Sequence, residues 1–327
     1  MRNSREVLAV AVVLFAALTT SVYEFRTWSY SDLTTGVFGQ HMLVLRGEAG
    51  NPVQYRALPE YLWDWLIRLQ TARGSGDPIY TSLEVLRYSQ NLLLFCLAYA
   101  YFRKLGLALQ TAMLGMAVFT LMLTSAVAPN WMRLSSNFDA SFYLMAALLI
   151  LARRDWWIVP LSVVAAVNRE ASGFIPFMLL AARIPELAVR NTRTRVLVIV
   201  GTAVAVWLVV YAALRLLYPP QPLVTDTGWV AIQLNLLRET SWMNLFGTFG
   251  ILPLVALMGY RWWPPLLKTW FWLIVPLWIS VHVLSALINE SLLFTEPTVL
   301  ILLPAALFAA VGWTRSSQYQ SAEIASE

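Results

Sequence analysis

The sequence predicts an all-α fold: a polytopic transmembrane helical bundle of about eight full spans plus one short helical hairpin, about ten membrane helices in all. Three observations lead there. Hydrophobic residues make up 59% of the 327 positions and charged residues only 13%, about half the charge usual in soluble proteins. Long apolar runs recur at 7–22, 89–102, 108–128, 137–152, 196–218, 242–260, 267–288 and 297–313. These runs are continuously apolar instead of alternating, which is the pattern of helices and not of a membrane barrel.

Taken in order, the chain reads as one membrane domain over 1–327. The run at 7–22 follows a basic start and lacks a small-residue cleavage site, so it reads as an uncleaved first span. Residues 23–86 form the first outer loop. Within it a helix-like stretch runs from Leu33 to Leu45, then comes a turn at Gly47–Pro52. From Pro59 onward, Leu62, Trp65, Leu66 and Leu69 recur at helical spacing among Tyr61, Trp63 and Trp65, which predicts a helix lying in the membrane interface. The 15 tryptophans read as interfacial anchors, Cys96 as a buried inert thiol, and 316–327 as a flexible cytoplasmic tail.

Basic residues orient the spans. The net charge of +5 comes from 23 Lys+Arg against 18 Asp+Glu, and these cations cluster in short turns, so they report topology and not nucleic acid. With both termini in the cytoplasm, the turns at Arg103–Lys104, Arg153–Arg154, Arg183–Arg195, Arg261–Lys268 and Arg315 all fall on the inner side, provided 156–182 enters and leaves together. That segment is therefore expected to be a hairpin of two helices of about 12 residues, each rising about 18 Å, with Asn168, Arg169 and Glu170 at its tip. Ionisable side chains at such depth are costly, so the tip marks a polar cavity.

On this topology the other unusual polar groups share the outer side: Asp32, His41, Tyr55, Arg56, Asp139, Arg215, Glu290 and Glu296. Arginines converging with carboxylates suit an anionic substrate, because a guanidinium grips phosphate bidentately while a carboxylate takes a proton or a metal. Each residue also has a structural reading. Arg169 and Glu170 pair with each other or with Asp139, Asp139 caps a helix, Arg56 snorkels, and His282 bonds between helices. HExxH, P-loop, GxSxG, CxxC and Rossmann patterns are absent, which disfavours ATP hydrolysis and soluble-cofactor chemistry.

The motifs carry a resemblance. "QYRALPEYL" at 54–62 resembles a YR-x-L-P element, "NFDAS" at 137–141 a Y-D element, and "NREAS" at 168–172 an NRET-type motif of a group of bacterial polytopic membrane proteins. Glu296 to Pro304 matches a late element, and the order covers about 30–313. That group is similar to the GT-C superfamily of membrane glycosyltransferases. The resemblance implies a multi-pass protein of the inner (plasma) membrane that transfers sugar from a polyprenyl-phosphate donor at the outer face. Its partners are then the lipid-linked donor and membrane lipid, with no nucleic acid. A carboxylate in the first outer loop would be the general base, which maps onto Asp32. Arg56 and Arg169 would bind the donor phosphate, Glu170, Asp139, Asn168 and Tyr55 would hold them in place, and His41, Glu290 and Glu296 would contact substrate. The loop lacks the adjacent acidic pair of metal-dependent members, so no cofactor is expected, a divalent metal being the alternative. The rival readings are a lipid-linked glycan flippase or transporter, and a non-catalytic membrane subunit.

Overall fold

A computed structural model describes residues 2–127, 132–223, 227–288 and 290–324, and among them it is helical with a single isolated bridge, Asn51 to Leu223. The helices are α1 (Arg2–Thr27), α2 (Phe38–Arg46), α3 (Ala57–Ala72), α4 (Pro78–Lys104), α5 (Leu109–Val127), α6 (Leu134–Leu151), α7 (Ile158–Asn168), α8 (Ile175–Ala182), α9 (Arg190–Leu217), α10 (Trp229–Leu237), α11 (Glu239–Phe249), α12 (Leu252–Met258), α13 (Pro265–Ser285), α14 (Thr295–Pro297) and α15 (Leu303–Ile324).

Among the described residues six stretches are long and apolar enough to cross a membrane, fewer than the eight expected. They are Glu6–Thr27, Leu109–Val127, Leu134–Leu151, Arg190–Leu217, Pro265–Ser285 and Ser291–Thr314. The two remaining runs have specific fates. The run at 242–260 is broken, with α11 and α12 meeting at 65°, so it counts as a seventh span only if the two are taken together. The run at 89–102 is the C-terminal half of α4, whose 27 residues extend about 40 Å. Arg87 just before that run and Gln90 and Asn91 at its start are all buried.

Local chemistry sets the boundaries in the first long connection. Gly47, at φ 72°, ends α2 in the left-handed conformation that a side chain resists. Asp77 caps α4 by accepting from the Tyr80 backbone N–H at 3.0 Å, and Pro78 occupies the first helical position. The expected helix near 33–45 begins with a wider π-helical turn over Asp32–Val37 before α2. The stretch from Pro59 is helical, as α3, with Trp63 fully buried and Trp65 59% exposed. Leu62 and Trp65 therefore face outward from the bundle.

Other expectations change with packing. Trp63, Trp270 and Trp278 are among the largest fully buried side chains and are not interfacial anchors. Their indole N–H groups donate inward, to the Ser82 hydroxyl, the Met178 carbonyl and the Leu293 carbonyl respectively. Cys96 is exposed on α4, not buried. The segment expected to be a flexible tail continues α15 as helix to Ile324, and residues 325–327 lie outside the described residues.

The short apolar segment turns back on itself. Arg183, just after α8, donates to Asp155, just before α7, through Nη2 at 2.6 Å and Nε at 3.1 Å, and to the Ile150 carbonyl at 2.7 Å. The start of α7 and the end of α8 thus stand side by side, with Asn168, Arg169 and Glu170 at the far end. At Arg169 the backbone is extended (φ −163°, ψ 144°), which breaks the helix there. The hairpin packs against α6 and α9.

Buried polar side chains fasten α1, α4 and α6. Arg87 grips Glu24 through two hydrogen bonds of 2.8 and 2.6 Å, and Asn91 links Ser21 to Asn137. Glu24, Arg87, Gln90, Asn91 and Asn137 leave no buried side-chain nitrogen or oxygen without a partner. A satisfied buried pair is tolerated, while stranding one member is costly. Arg87→Ala should therefore destabilise by about 3–5 kcal/mol, and a joint Glu24→Leu, Arg87→Met replacement should recover most of that loss. Thermal unfolding in detergent tests this; a double variant no more stable than Arg87→Ala would refute the account.

Candidate functional site

The break at Arg169 converts a helix into a binding corner. With the backbone extended, the Arg169 side chain leaves the hairpin axis and enters the bundle, where it is only 3% exposed. The freed groups around it are taken up by neighbours. Asn168 donates to the Ser135 carbonyl at 3.0 Å, Ser172 to the Arg169 carbonyl at 2.7 Å, and Tyr143 to the Ala171 carbonyl. Trp207 of α9 donates in turn to the Ser172 hydroxyl at 3.1 Å.

Two buried carboxylates flank Arg169. Its Nη1 lies 3.4 Å from Asp139 Oδ2 on α6 and 3.5 Å from Glu296 Oε1 on α14. Asp139 sits within α6 instead of at its start, so the capping reading gives way to an ion pair. Above this triad lies a cavity of about 190 Å³. Its polar walls include Arg56, Arg133, Arg169, Glu170, His282 and Glu290, and its apolar walls Val53, Phe174 and Leu293. Arg56 Nη2 binds Glu170 Oε1 at 2.8 Å, and Arg133 Nη2 binds Glu290 Oε1 at 2.5 Å. Burial lowers the Arg133 guanidinium from its ordinary value to about 10, with Glu290 opposing the shift, so it remains charged at neutral pH.

Pairing does not exhaust these groups. Arg56 Nε, Arg169 Nε and Glu170 Oε2, on three side chains that line the cavity, are buried without a hydrogen-bond partner. Buried polar atoms are normally satisfied, and several orphans around one cavity mark a place where a polar ligand binds. Among the described residues no cluster of three or more His, Cys, Asp or Glu side chains is arranged to hold a metal.

The sequence-predicted residues divide into three groups. Arg56, Arg169, Glu170 and Glu290 line the cavity, while Asp139 and Glu296 brace Arg169 from beneath and Asn168 pins the tip. Tyr55 is buried next to Arg56, its ring stacked under Arg215 at 4.2 Å instead of holding Arg56 or Arg169. Asp32 and His41 are elsewhere. Asp32 accepts from the Ser29 backbone N–H at 3.1 Å and hydroxyl at 2.6 Å, and does not line the cavity. His41 is locked between α2 and α3, its Nδ1 2.8 Å from Glu60 and its ring packed on Phe38 and Trp63.

Sequence reasoning passed over Arg133 and left His282 as a packing residue. His282 does bond within its helix, Nδ1 to the Trp278 carbonyl at 2.8 Å, yet it also lines the cavity. A signal for Arg133 exists. It stands at the N-cap of α6, where the helix dipole disfavours a cation, so a basic residue there calls for a reason.

Compared with protein-family models, curated proteins and solved structures, the chain matches none.

Removing Arg169 would leave Asp139 and Glu296 facing each other in the interior. Arg169→Ala is therefore expected to lower stability by about 3–5 kcal/mol, with Arg169→Ala, Asp139→Asn, Glu296→Gln recovering part of it. Unfolding temperatures of the purified variants check this; an unchanged value for Arg169→Ala would show that the triad contributes nothing to the fold.

Proposed function

We propose that the protein is a membrane glycosyltransferase that moves a sugar from a polyprenyl-phosphate donor to an acceptor hydroxyl at the outer face of the membrane. The observation that carries this reading is the convergence of Arg56, Arg133 and Arg169 on one cavity at the hairpin break, two of them with a buried Nε that no protein group satisfies. Guanidinium groups suit phosphate because their planar donors match its oxygens.

In this reading Arg56 and Arg133 contact the donor phosphate, and Arg169, braced by Asp139 and Glu296, supplies a fixed positive charge behind it. The bond between the anomeric carbon and the phosphate oxygen breaks, and the electron pair stays on the departing phosphate. Prepositioned cations stabilise that growing charge without reorganising. The acceptor oxygen forms the new bond to the anomeric carbon and loses its proton to Glu170 Oε2, whose partner oxygen is held by Arg56. The base thus moves from Asp32, which is engaged with Ser29, to the hairpin itself. Geometry within reach of the substrate takes precedence in choosing a base.

One feature favours transport as a second reading: a helical hairpin broken at a polar cavity is also how transporters build substrate sites. Movement of a lipid-linked glycan across vesicles without any covalent product would favour it.

The deciding assay is transfer of labelled sugar from a panel of polyprenyl-phosphate donors by membranes carrying each variant. Glu170→Gln should reduce transfer by roughly 10²–10⁴-fold while donor binding persists, and Asp32→Ala should stay near wild type. Loss of transfer in Asp32→Ala with full activity in Glu170→Gln would return the base to the first connection. No transfer by abundant, folded wild-type protein would end the glycosyltransferase reading.

A further inference from the structure

Helix α13 has a second polar end. Its last turn carries His282 and Ser285 to the arginine cavity, while its first turns border an open groove of about 650 Å³ between α12 and α13. Leu257 and Tyr260 form one wall of this groove, and Trp272, Val275 and Ile279 of α13 form the other. Trp272 is 66% exposed and Ile279 46%, so the groove opens on the outside of the bundle. Its Tyr260 end and the arginine cavity therefore lie toward opposite ends of one candidate span, Pro265–Ser285.

The polar groups of the groove gather at that Tyr260 end. Lys268, Trp272, Val275 and Ile279 follow one another at spacings of three and four, which places them on one face of α13. Lys268 Nζ lies 4.9 Å over the Tyr260 ring. The Tyr260 hydroxyl accepts from Trp272 Nε1 at 3.0 Å, which leaves its own O–H to donate. Arg261, the next residue, is exposed, with its guanidinium 3.9 Å over the Trp262 ring. Among the described residues neither cation has a carboxylate within ion-pair distance, and the sequence holds no Asp or Glu between Glu239 and Glu290. From Lys268 to Ile279 the helix rises about 16 Å, roughly half of a hydrocarbon core about 30 Å thick. The groove thus has the length of one leaflet, apolar along its course and cationic where headgroups begin.

We propose that this groove is a binding site for an anionic phospholipid of the cytoplasmic leaflet, its phosphate held by Lys268, Arg261 and the Tyr260 hydroxyl and one acyl chain laid along Trp272, Val275 and Ile279. Charge complementarity selects the occupant. Two cations without counter-ions, in a stretch that contains no carboxylate, call for an anion, and the apolar groove beside them calls for an anion that carries a chain. The leaflet follows from the excess of basic residues next to spans on the cytoplasmic side, where anionic lipids also concentrate. The site is independent of the chemistry at the arginine cavity.

Equilibrium binding to the full-length protein in mild detergent tests this, with phosphatidylglycerol and phosphatidylcholine of identical chains as probes. Wild type should bind phosphatidylglycerol about tenfold more tightly, and Arg261→Gln, Lys268→Gln should bring it down to the phosphatidylcholine level. Lys268→Gln alone, expected to lose part of the preference, serves should the double variant fail to fold. Val275→Trp narrows the groove and keeps both cations, so it should weaken the two lipids by a similar factor; Ile279→Trp does the same from the next turn should Val275→Trp fail to fold. Equal binding of the two lipids by wild type would overturn the anionic assignment. A preference that survives the loss of both cations would overturn the headgroup site, and lipid binding untouched by the groove variant would overturn the chain seat. Dimers that form in lipid-free detergent and are lost in the groove variant would assign the face to a second copy of the chain and overturn the proposal.

Discussion

A guanidinium inside an apolar bundle must be met by opposite charge, and Arg169 imposes that requirement on three separate parts of the chain. Asp139 must come from α6 and Glu296 from the start of the last span, and the hairpin must break so that Arg169 reaches both. Breaking a helix in a dry interior frees backbone groups, which is costly unless they find partners. Asn168, Ser172, Tyr143 and Trp207 satisfy or relay these bonds. Each does so from a different element or from the tip itself, so the demand of one side chain joins α6, α9 and the hairpin at the floor of one cavity.

The same constraint operates at α4 and reaches the same place. Arg87 is neutralised by Glu24, and its Nη1 then extends to the Arg133 carbonyl at 3.3 Å, while Gln90 reaches the Leu134 carbonyl at 2.8 Å. Asn168 holds the next carbonyl, that of Ser135. Three successive carbonyls at the start of α6 are thus fixed by side chains from α4 and the hairpin. Arg133 stands on this turn, so its position relative to Arg169 is set by backbone clamps and not by its surface pairing alone. Rigid support of this kind is what lets fixed charges act on a ligand without rearranging.

How much of this could be read from the residues depended on whether their energetic anomaly was local. Arg169, Glu170, Asp139 and Glu296 were legible because charge within or beside an apolar run is expensive wherever it points. Arg56 and Glu290 were found by their company. Helix α4 was expected to span because its run at 89–102 is apolar, but it is not among the six candidate spans, and Arg87, Gln90 and Asn91 at its middle are instead turned inward to Glu24, Leu134 and Ser21. Asp32 stood out as a carboxylate in a connection, but the Ser29 contact that engages it lies in the fold of that connection. Arg133 was hidden because cations at the edge of a span are ordinary. Trp63, Trp270 and Trp278 were misplaced since residue type alone does not distinguish an interfacial indole from a buried one such as Trp278, with its N–H on Leu293.

The arrangement of charges also bears on how an anion would enter. The cavity arginines are all paired, so a phosphate that had to displace Glu170 or Glu290 would gain little, exchanging one anion for another. Arginine offers five N–H donors, however, and Arg56 and Arg133 each give Nη2 to their carboxylates. Arg56 Nε and Arg169 Nε are buried with no protein acceptor. An incoming phosphate can therefore bind by addition, using donors the carboxylates leave free. The carboxylates then hold the guanidinium groups in place and restrain the site from becoming so cationic that it retains every anion. On the proposed reading, a hairpin break that brings paired arginines with spare donors to one cavity would let phosphate bind without displacing the carboxylates.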